Sequence, residues 1–191
     1  ISNYKLANQD SLLLSLNDNK IDFTITDKYL LIKNGEYKIT KNIIVPVDIE
    51  TKIEKGVIFN MSKNVSILFQ GNLNAEGTKE EKILVKALKI NEPFGTFAVV
   101  GKNYKSNVNL SNFIIEGGSE ASLEGMTFLG QLSIHNSNVL IKESKITKSY
   151  SDDGANIRNS NIDISNTSFS FNKFDQLDLD FCNGNLINNE F

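Results

Sequence analysis

The sequence predicts an all-β protein whose chain winds into a parallel β-helix, a solenoid of stacked turns. Two observations lead to this prediction. One motif returns every 22 to 23 residues in the C-terminal half, and apolar residues alternate with polar ones inside each copy. A repeat of this length indicates a solenoid, and alternation has the period of a β-strand, not that of an α-helix.

The composition is that of a folded domain and argues against several kinds of partner. Of the 191 residues, 40% are hydrophobic and 23% are charged, so the chain can bury a core. The net charge is −3 and the basic residues form no block, so we expect no nucleic-acid partner. No apolar run is long enough to cross a bilayer, so we expect no membrane span.

The N-terminal part is interpreted as a cap on a longer solenoid. Residues 1–29 include the stretch QDSLLLSLNDN, which as a short helix or strand would cover the open end of the solenoid. Residues 30–191 are predicted to form one parallel β-helix of about six or seven turns of 22 to 23 residues. Because one turn cannot bury its inner face alone, stability is expected only from several stacked turns.

Three copies of the repeat align over the C-terminal third of the chain. The aligned sets are Ile134, Ile157 and Leu179; Asn138, Asn161 and Asn183; Ile141, Ile164 and Leu186; and Ile146, Phe169 and Phe191. An earlier copy places Asn107 and Ile115 on the same template, 31 residues before Asn138 and Ile146. The longer spacing predicts a loop of roughly eight extra residues around EGGSEASLEG.

The aligned asparagines predict a ladder of side-chain amides along the solenoid. We place Asn138, Asn161 and Asn183 at a bend between strands, where each amide bonds to its equivalents in the turns above and below. Asparagine also tolerates the left-handed backbone that a sharp bend needs. By contrast, Asn172 is placed in a loop, where its removal is expected to have little effect on stability.

A resemblance to a known family is carried by residues 53–85, IEKGVIFNMSKNVSILFQGNLNAEGTKEEKILV, and by residues 30–46, LLIKNGEYKITKNIIVP. They resemble early turns of right-handed parallel β-helix proteins of the pectate-lyase-like class. The matching residues are Gly56, Val57, Gly71, Leu73, Ala75, Gly77 and Thr78. The resemblance extends over about residues 30–191 and implies a right-handed helix. It implies no single activity, because the fold hosts lyases, glycoside hydrolases, epimerases, esterases and inert stalks.

The sequence stops in the middle of a repeat, at Phe191. An open solenoid end leaves an apolar layer and unpaired strand edges, which favour aggregation. We therefore expect either that the solenoid continues beyond Phe191 or that an end-to-end contact covers this end.

One outward-facing column of the aligned strands reads His135, Arg158, Asp180, and it contains the only histidine and the only arginine of the chain. Strand alternation places Ser133, Asn156 and Asp178 beside it. As a catalytic site, this face would use Arg158 to neutralise a substrate carboxylate and His135 or Asp178 as the base. The catalytic candidates are His135, Arg158, Asp178 and Asp180, and the carbohydrate-binding candidates are Ser133, Asn156, Arg158 and Tyr150.

Three further carboxylates precede these strands and suggest a cation site. Asp152, Asp153 and Asp175 converge if the turns stack as aligned, and carboxylate oxygens are the ligands that Ca²⁺ prefers. No other cofactor is expected. A solvated ladder of charge pairs accounts for the same residues without any ligand.

Two function hypotheses follow from the sequence. The first is an extracellular or cell-surface module that is not catalytic and either binds carbohydrate or acts as a rigid spacer. The alternative is a lyase, hydrolase or epimerase that acts on an acidic polysaccharide at the face described above. A polysaccharide is the expected partner in both hypotheses, except for the pure spacer.

Overall fold

The structure, a computed structural model, describes residues 9–191 of the chain, which form an all-β fold with a helix, α1 (Gln9–Asp18), at its start. The first strands are β1 (Phe23–Ile25), β2 (Tyr29–Ile32), β3 (Glu36–Ile39), β4 (Ile43–Val45), β5 (Glu50–Ile53), β6 (Ile58–Met61), β7 (Ile67–Phe69), β8 (Leu73–Glu76), β9 (Ile83–Ala87), β10 (Phe97–Val100) and β11 (Ser106–Ser111). The remaining strands are β12 (Phe113–Glu116), β13 (Ala121–Leu123), β14 (Met126–Phe128), β15 (Gly130–His135), β16 (Ser137–Lys142), β17 (Lys145–Thr147), β18 (Asp153–Arg158), β19 (Asn161–Ser165), β20 (Ser168–Ser170), β21 (Asp175–Asp180) and β22 (Asn183–Ile187). Within residues 9–191, no helix has the length and apolar character needed to cross a membrane.

Most strands belong to three sheets, which the chain visits in rotation. Sheet A contains β2, β5, β8, β11, β16, β19 and β22, with β1 antiparallel against β2 at its edge. Sheet B contains β3, β6, β9, β12, β17 and β20, and sheet C contains β4, β7, β10, β15, β18 and β21. Apart from β1, neighbouring strands within these sheets are parallel. The rotation is consistent with the predicted solenoid, and the parallel strands and their repeat are confirmed.

The register agrees with the alignment of the repeats. Ile134 pairs with Ile157, which pairs in turn with Leu179. Asn138, Asn161 and Asn183 occupy successive strands of sheet A. The rings of Phe169 and Phe191 stack, with centroids 5.4 Å apart. The alternation of apolar and polar residues therefore predicted correctly which side chains of these strands point to the core. An error of one residue in the register would have placed every side chain on the opposite face of its sheet.

Alternate residues of all three sheets contribute to one large cluster of buried apolar side chains. Three phenylalanines, on β7 and β10 of sheet C and on β12 of sheet B, illustrate the packing across the core. The ring centroids of Phe69 and Phe97 are 5.2 Å apart, and those of Phe97 and Phe113 are 5.5 Å apart. Leu12 and Leu16 of α1 are fully buried in the same cluster. Helix α1 contacts β4, so its apolar side chains extend the core beyond the first strands.

Residues with a left-handed backbone mark the corners where the chain passes between sheets. They include Asn136 and Asn159 between sheets C and A, Glu143 and Asn166 between sheets A and B, and Lys148 and Phe171 between sheets B and C. Asparagine is the commonest of these residues because its side chain tolerates this conformation best after glycine.

The amide ladder is confirmed for Asn138 and Asn161, but its predicted place at a bend was wrong. Nδ2 of Asn161 donates to Oδ1 of Asn138 over 2.9 Å, and Asn138 donates to Asn107 over 3.1 Å. These residues lie at the starts of strands in sheet A, and none has a left-handed backbone. Two of the corner asparagines, Asn136 and Asn159, form their own side-chain contact of 3.3 Å.

The insertion around EGGSEASLEG was predicted to be a loop, but it contains an antiparallel hairpin of β13 and β14. Phe128 at the end of β14 is fully buried against Leu68, Ala98 and Val100, outward-facing residues of sheet C. The hairpin therefore covers part of the outer face of sheet C with a second, smaller apolar cluster. The sequence signal was weak because each of its strands has only three residues.

Asn172 lies in the connection between β20 and β21, as expected, but it is not the exposed side chain that a small effect on stability would require. Its side chain is buried at the corner between sheets B and C. Oδ1 accepts from the backbone N–H of Ser149 over 3.0 Å, and Nδ2 donates to the carbonyl of Ile146 over 3.3 Å. It also bonds to Gln131 and Gln176. A buried corner leaves several backbone groups without strand partners, and this side chain satisfies them.

Candidate functional site

The outer face of sheet C carries the predicted acid and base residues in the predicted register. His135 pairs with Arg158, which pairs with Asp180. Ser133, Asn156 and Asp178 form the neighbouring column. The structure therefore brings these six residues together on three adjacent strands, β15, β18 and β21.

His135 is held by its neighbours and is half-buried. Its ring stacks on Phe128 of the hairpin, with centroids 5.4 Å apart, and Nε2 lies 3.1 Å from Oδ1 of Asn156. Burial lowers the pKa of the imidazole below its ordinary value, and the nearby Arg158 acts in the same direction. Since Oδ1 of Asn156 accepts, the neutral ring carries its proton on Nε2 and donates it to this amide.

The other amide and charged side chains of the two columns also contact side chains on the adjacent strands. Nδ2 of the fully buried Asn156 donates to Oδ2 of Asp178 over 2.7 Å. Nε of Arg158 lies 3.2 Å from Oδ2 of Asp180, and both side chains are partly exposed. Each acidic or basic side chain of these two columns, namely His135, Arg158, Asp178 and Asp180, thus has a partner on an adjacent strand.

Three of the predicted carbohydrate-binding residues, Ser133, Asn156 and Tyr150, lie away from an open surface on this face, and Asn156 is fully buried. Ser133 was expected to point to solvent, but it is fully buried, and its hydroxyl donates to the carbonyl of Gly130 over 3.0 Å. The hairpin explains this burial, because Ser133 aligns with Ala98, which packs against Phe128. Tyr150 is exposed, but it precedes β18, whereas Arg158 ends that strand. The two side chains are therefore separated by the length of β18.

The three residues proposed as calcium ligands do not form a metal centre. In residues 9–191, no group of three or more His, Cys, Asp or Glu side chains is placed to hold a metal ion. Asp153 and Asp175 are register partners on β18 and β21, but Asp153 is buried while Asp152 and Asp175 are exposed. Burial raises the pKa of Asp153 to about 6, and the negative charges of Asp178, Asp175 and Asp152 add to this effect. The face is strongly acidic.

A groove that the sequence did not reveal lies at the corner between sheets A and B. It has a volume of about 700 Å³, and we call it the basic groove. Its lining includes Lys79, Lys82, Lys145, Glu143, Ile114, Asn166, Asn188 and Glu190. Lysine is the main basic residue throughout the chain, so no single lysine stood out. Only the stacking of turns places Lys145 beside the loop that carries Lys79 and Lys82.

A second concavity lies at the opposite end of sheet B, where the chain turns into sheet C. It has a volume of about 340 Å³, and we call it the Tyr150 pocket. Its lining residues are Ala87, Lys89, Ile90, Asn91, Glu116, Gly117, Lys148 and Tyr150. Tyr150 was singled out from the sequence, but its surroundings come from three segments that are distant in the chain.

Comparisons of the chain with protein-family models, with curated proteins and with solved structures give no significant match. The candidate sites therefore rest on the geometry and chemistry of the chain itself.

Proposed function

We propose that the chain is a non-catalytic, right-handed parallel β-helix module that binds an acidic polysaccharide outside the cell or at its surface. The observation that carries the proposal is the basic groove. Lys79, Lys82 and Lys145 lie exposed on its walls, and none of the three forms an ion pair with another described residue. Unpaired cations around a long concave surface suit a ligand that carries several anionic groups.

The loop that carries two of these lysines is held in one conformation. The backbone N–H of Gly77 donates to Ser111 over 2.8 Å, and the hydroxyl of Thr78 accepts from the N–H of Glu81 over 3.0 Å. A Cβ atom at Gly77 would lie 2.8 Å from the carbonyl oxygen of Asn112, so glycine permits this close approach. The carboxylate of Glu81 pairs with Lys55 over 2.6 Å and draws the loop onto the preceding turn. Such preorganisation reduces the entropy lost on binding.

The floor and far wall of the groove cross several turns. Ile114, Lys145 and Ser168 are register partners on β12, β17 and β20, so they follow one another at about 4.8 Å per strand. The exposed corner residues Asn166 and Asn188 add amide groups that can bond to hydroxyls. An extended polymer that lies along the stacking direction would meet charge, amide and a half-buried aliphatic surface in turn.

The basic groove also contains two carboxylates, which shape the specificity expected of it. Nδ2 of Asn112 donates to Oε2 of Glu143 over 3.3 Å, which occupies this carboxylate in part, and Glu190 lies near the end of the groove. The local balance of three lysines and two glutamates is only weakly positive. We therefore expect recognition of spaced anionic groups on a polyhydroxylated chain, and weaker binding of densely charged polyanions.

The catalytic interpretation of the sheet C face has less support. An acidic substrate would meet the carboxylates of Asp153, Asp175 and Asp178, and Arg158 is already paired with Asp180. His135 is neutral and its Nε2 proton is directed at Asn156. A base must reach the proton that it removes, and in this arrangement the imidazole faces a buried amide.

The proposed handedness and rigidity rest on general arguments. Parallel strands joined by crossovers are right-handed in the great majority of folds, and the resemblance of residues 30–85 to right-handed β-helices points the same way. The amide ladders and the continuous core join each turn to the next. A module of this kind can hold its ligand at a fixed distance from whatever it is attached to.

A binding and turnover panel tests the proposal. The protein is electrophoresed through gels that contain one polysaccharide each: polygalacturonate, alginate, hyaluronate, heparin, or neutral dextran and galactomannan as controls. The expected result is stronger retardation by at least one of the uronate polymers than by dextran or galactomannan, and no loss of polymer length after long incubation. Equal mobility in all gels, or shortening of any polymer, would overturn the proposal.

A further inference from the structure

We propose that the Tyr150 pocket is a second binding site, which takes a single neutral sugar residue. The site is separate from the basic groove, with which it shares no lining residue. Its volume of about 340 Å³ lies in the range of small-ligand sites. It combines an open apolar surface with a few polar groups that are fixed in place.

The apolar part of the pocket comes from residues on three segments. Ile90, in the connection after β9, is 90% exposed, and Tyr150 is 41% exposed. These are large apolar side chains that a solvated surface would not be expected to bring together. Ala87 and Gly117 lie beneath them. The carbon-bound hydrogens on one face of a pyranose ring would pack on such a surface, much as sugar rings pack on the faces of aromatic side chains.

The polar groups of the pocket are held in defined positions. The hydroxyl of Tyr150 donates to Oδ1 of Asn91 over 3.0 Å, which fixes the ring against the connection after β9. The backbone N–H of Tyr150 donates to the carbonyl of Gly118 over 2.8 Å. The Asn91 amide retains two N–H donors, and the Tyr150 oxygen retains acceptor capacity. Both can bond to sugar hydroxyls without any rearrangement.

The charges of the pocket cancel in pairs, which indicates a neutral ligand. Nζ of Lys148 lies 2.9 Å from Oε2 of Glu116, and Nζ of Lys89 lies 3.3 Å from Oε2 of Glu92. An anionic ligand would have to compete with a carboxylate for either lysine. A sugar hydroxyl can instead donate to Glu116 and accept from Lys148 while their ion pair stays intact. This balance distinguishes the pocket from the basic groove, whose lysines are unpaired.

The shape of the pocket depends on Gly117, at the corner after β12. Its backbone is left-handed, with φ of 83°, and a Cβ atom there would lie 2.8 Å from Cβ of Ala87. Any other residue would therefore strain the corner and push against the floor. Glycine leaves the space above Ala87 open, beside the ion pair of Glu116 and Lys148.

The test is a titration of the full chain with neutral monosaccharides, such as glucose, galactose, mannose and N-acetylglucosamine, followed by ligand-observed saturation-transfer NMR. We expect at least one sugar to bind. Tyr150→Ala should weaken its binding by about tenfold or more, because the packing surface is lost. Tyr150→Phe, which keeps the ring and loses the hydroxyl, should have an intermediate effect. Tyr104→Ala is the matched control, since Tyr104 is exposed but lies outside the pocket.

Several outcomes would overturn this assignment. They are the absence of saturation transfer from the protein to every sugar, or transfer that Tyr150→Ala and Tyr104→Ala reduce equally. Binding of uronic acids in preference to neutral sugars at this pocket would also contradict it. Substitution of the groove lysines should not change monosaccharide binding, and Tyr150→Ala should not change retardation by acidic polymers. The experiments can therefore reject either proposed site without rejecting the other.

Discussion

The ring of Phe128 stacks on the imidazole of His135, with centroids 5.4 Å apart, and fastens the β13–β14 hairpin to sheet C. This contact connects the insertion in the repeat to the only histidine of the chain. It also contributes to the lowered pKa of the histidine, whose largest cause is burial, because the ring that stacks on the imidazole is the fully buried side chain of the hairpin.

Phe128→Ala should raise the pKa of His135 towards its ordinary value. The substitution removes the ring that shields the imidazole from water, and burial is the largest cause of the lowered pKa. An NMR titration of the single histidine measures this directly. Phe171→Ala is the control, because Phe171 is 80% exposed and should leave the titration unchanged. An unchanged His135 pKa in the Phe128 variant would contradict the role of the hairpin.

Asn172→Ala should destabilise the protein more than Asn161→Ala. The buried Asn172 side chain serves the N–H of Ser149 and the carbonyl of Ile146, and its loss should cost about 2–3 kcal/mol. Asn161 bonds to Asn138 on an exposed face where water can replace it, so we expect less than about 1 kcal/mol. Urea unfolding of both variants decides the order. A larger loss for Asn161→Ala would mean that the exposed ladder, not the buried corner, dominates.

Asp153→Asn should stabilise the protein at neutral pH but not in acid. The pKa of Asp153 is about 6 in the folded chain against an ordinary 3.8, so folding favours its protonated form. The wild type therefore loses stability as the pH rises from 3.8 to about 6. The neutral amide of the variant avoids this loss. Its thermal midpoint should match the wild type near pH 4 and exceed it by several degrees at pH 7.

The exposed Asp152→Asn supplies the control for the Asp153 variant. It removes one neighbouring negative charge but no buried carboxyl group, so its effect should be small at every pH. A midpoint difference for Asp153→Asn that does not change between pH 4 and pH 7 would show that titration of this group is not the cause.

Ile141→Asp should prevent folding, whereas Lys142→Asp should be tolerated. Ile141 is fully buried between its register partners Leu110 and Ile164, where an unpaired carboxylate is costly. Lys142, the next residue, is exposed on the outer face of sheet A. Circular dichroism of the two purified variants makes the comparison. A folded Ile141 variant would mean that the register is displaced by one residue.

The repeated strands could be predicted from the sequence because two independent periodicities agree. Alternation fixed which residues face the core, and the spacing of 22 to 23 residues fixed which ones stack, as the pairing of Ile134 with Ile157 confirms. The positions that escaped prediction depend on contacts between segments. The burial of the loop residue Asn172 was not predicted because its partners, Ser149 and Gln131, come from other turns.

The candidate sites were predictable only in part, for the same reason. The column of His135, Arg158 and Asp180 followed from register alone and was placed correctly. The covering of His135 and Ser133 by a hairpin of two short strands did not follow from the repeat, because the hairpin lies outside the repeat. The basic groove required a loop from one turn to stand beside a strand two turns further on, which no local pattern encodes.

The most direct test of the proposed function is the affinity of two charge-matched triple variants for an immobilised uronate polymer. One variant replaces the groove residues Lys79, Lys82 and Lys145 by glutamine. The other replaces Lys28, Lys52 and Lys63, which are exposed and lie outside the groove. Surface plasmon resonance at several salt concentrations gives both the affinity and its dependence on ionic strength. The account predicts that the groove variant loses most of the binding and its salt dependence, while the other variant binds like the wild type. Equal losses of affinity in the two variants would show that the polymer is held by general charge attraction, and would contradict a binding site at this groove.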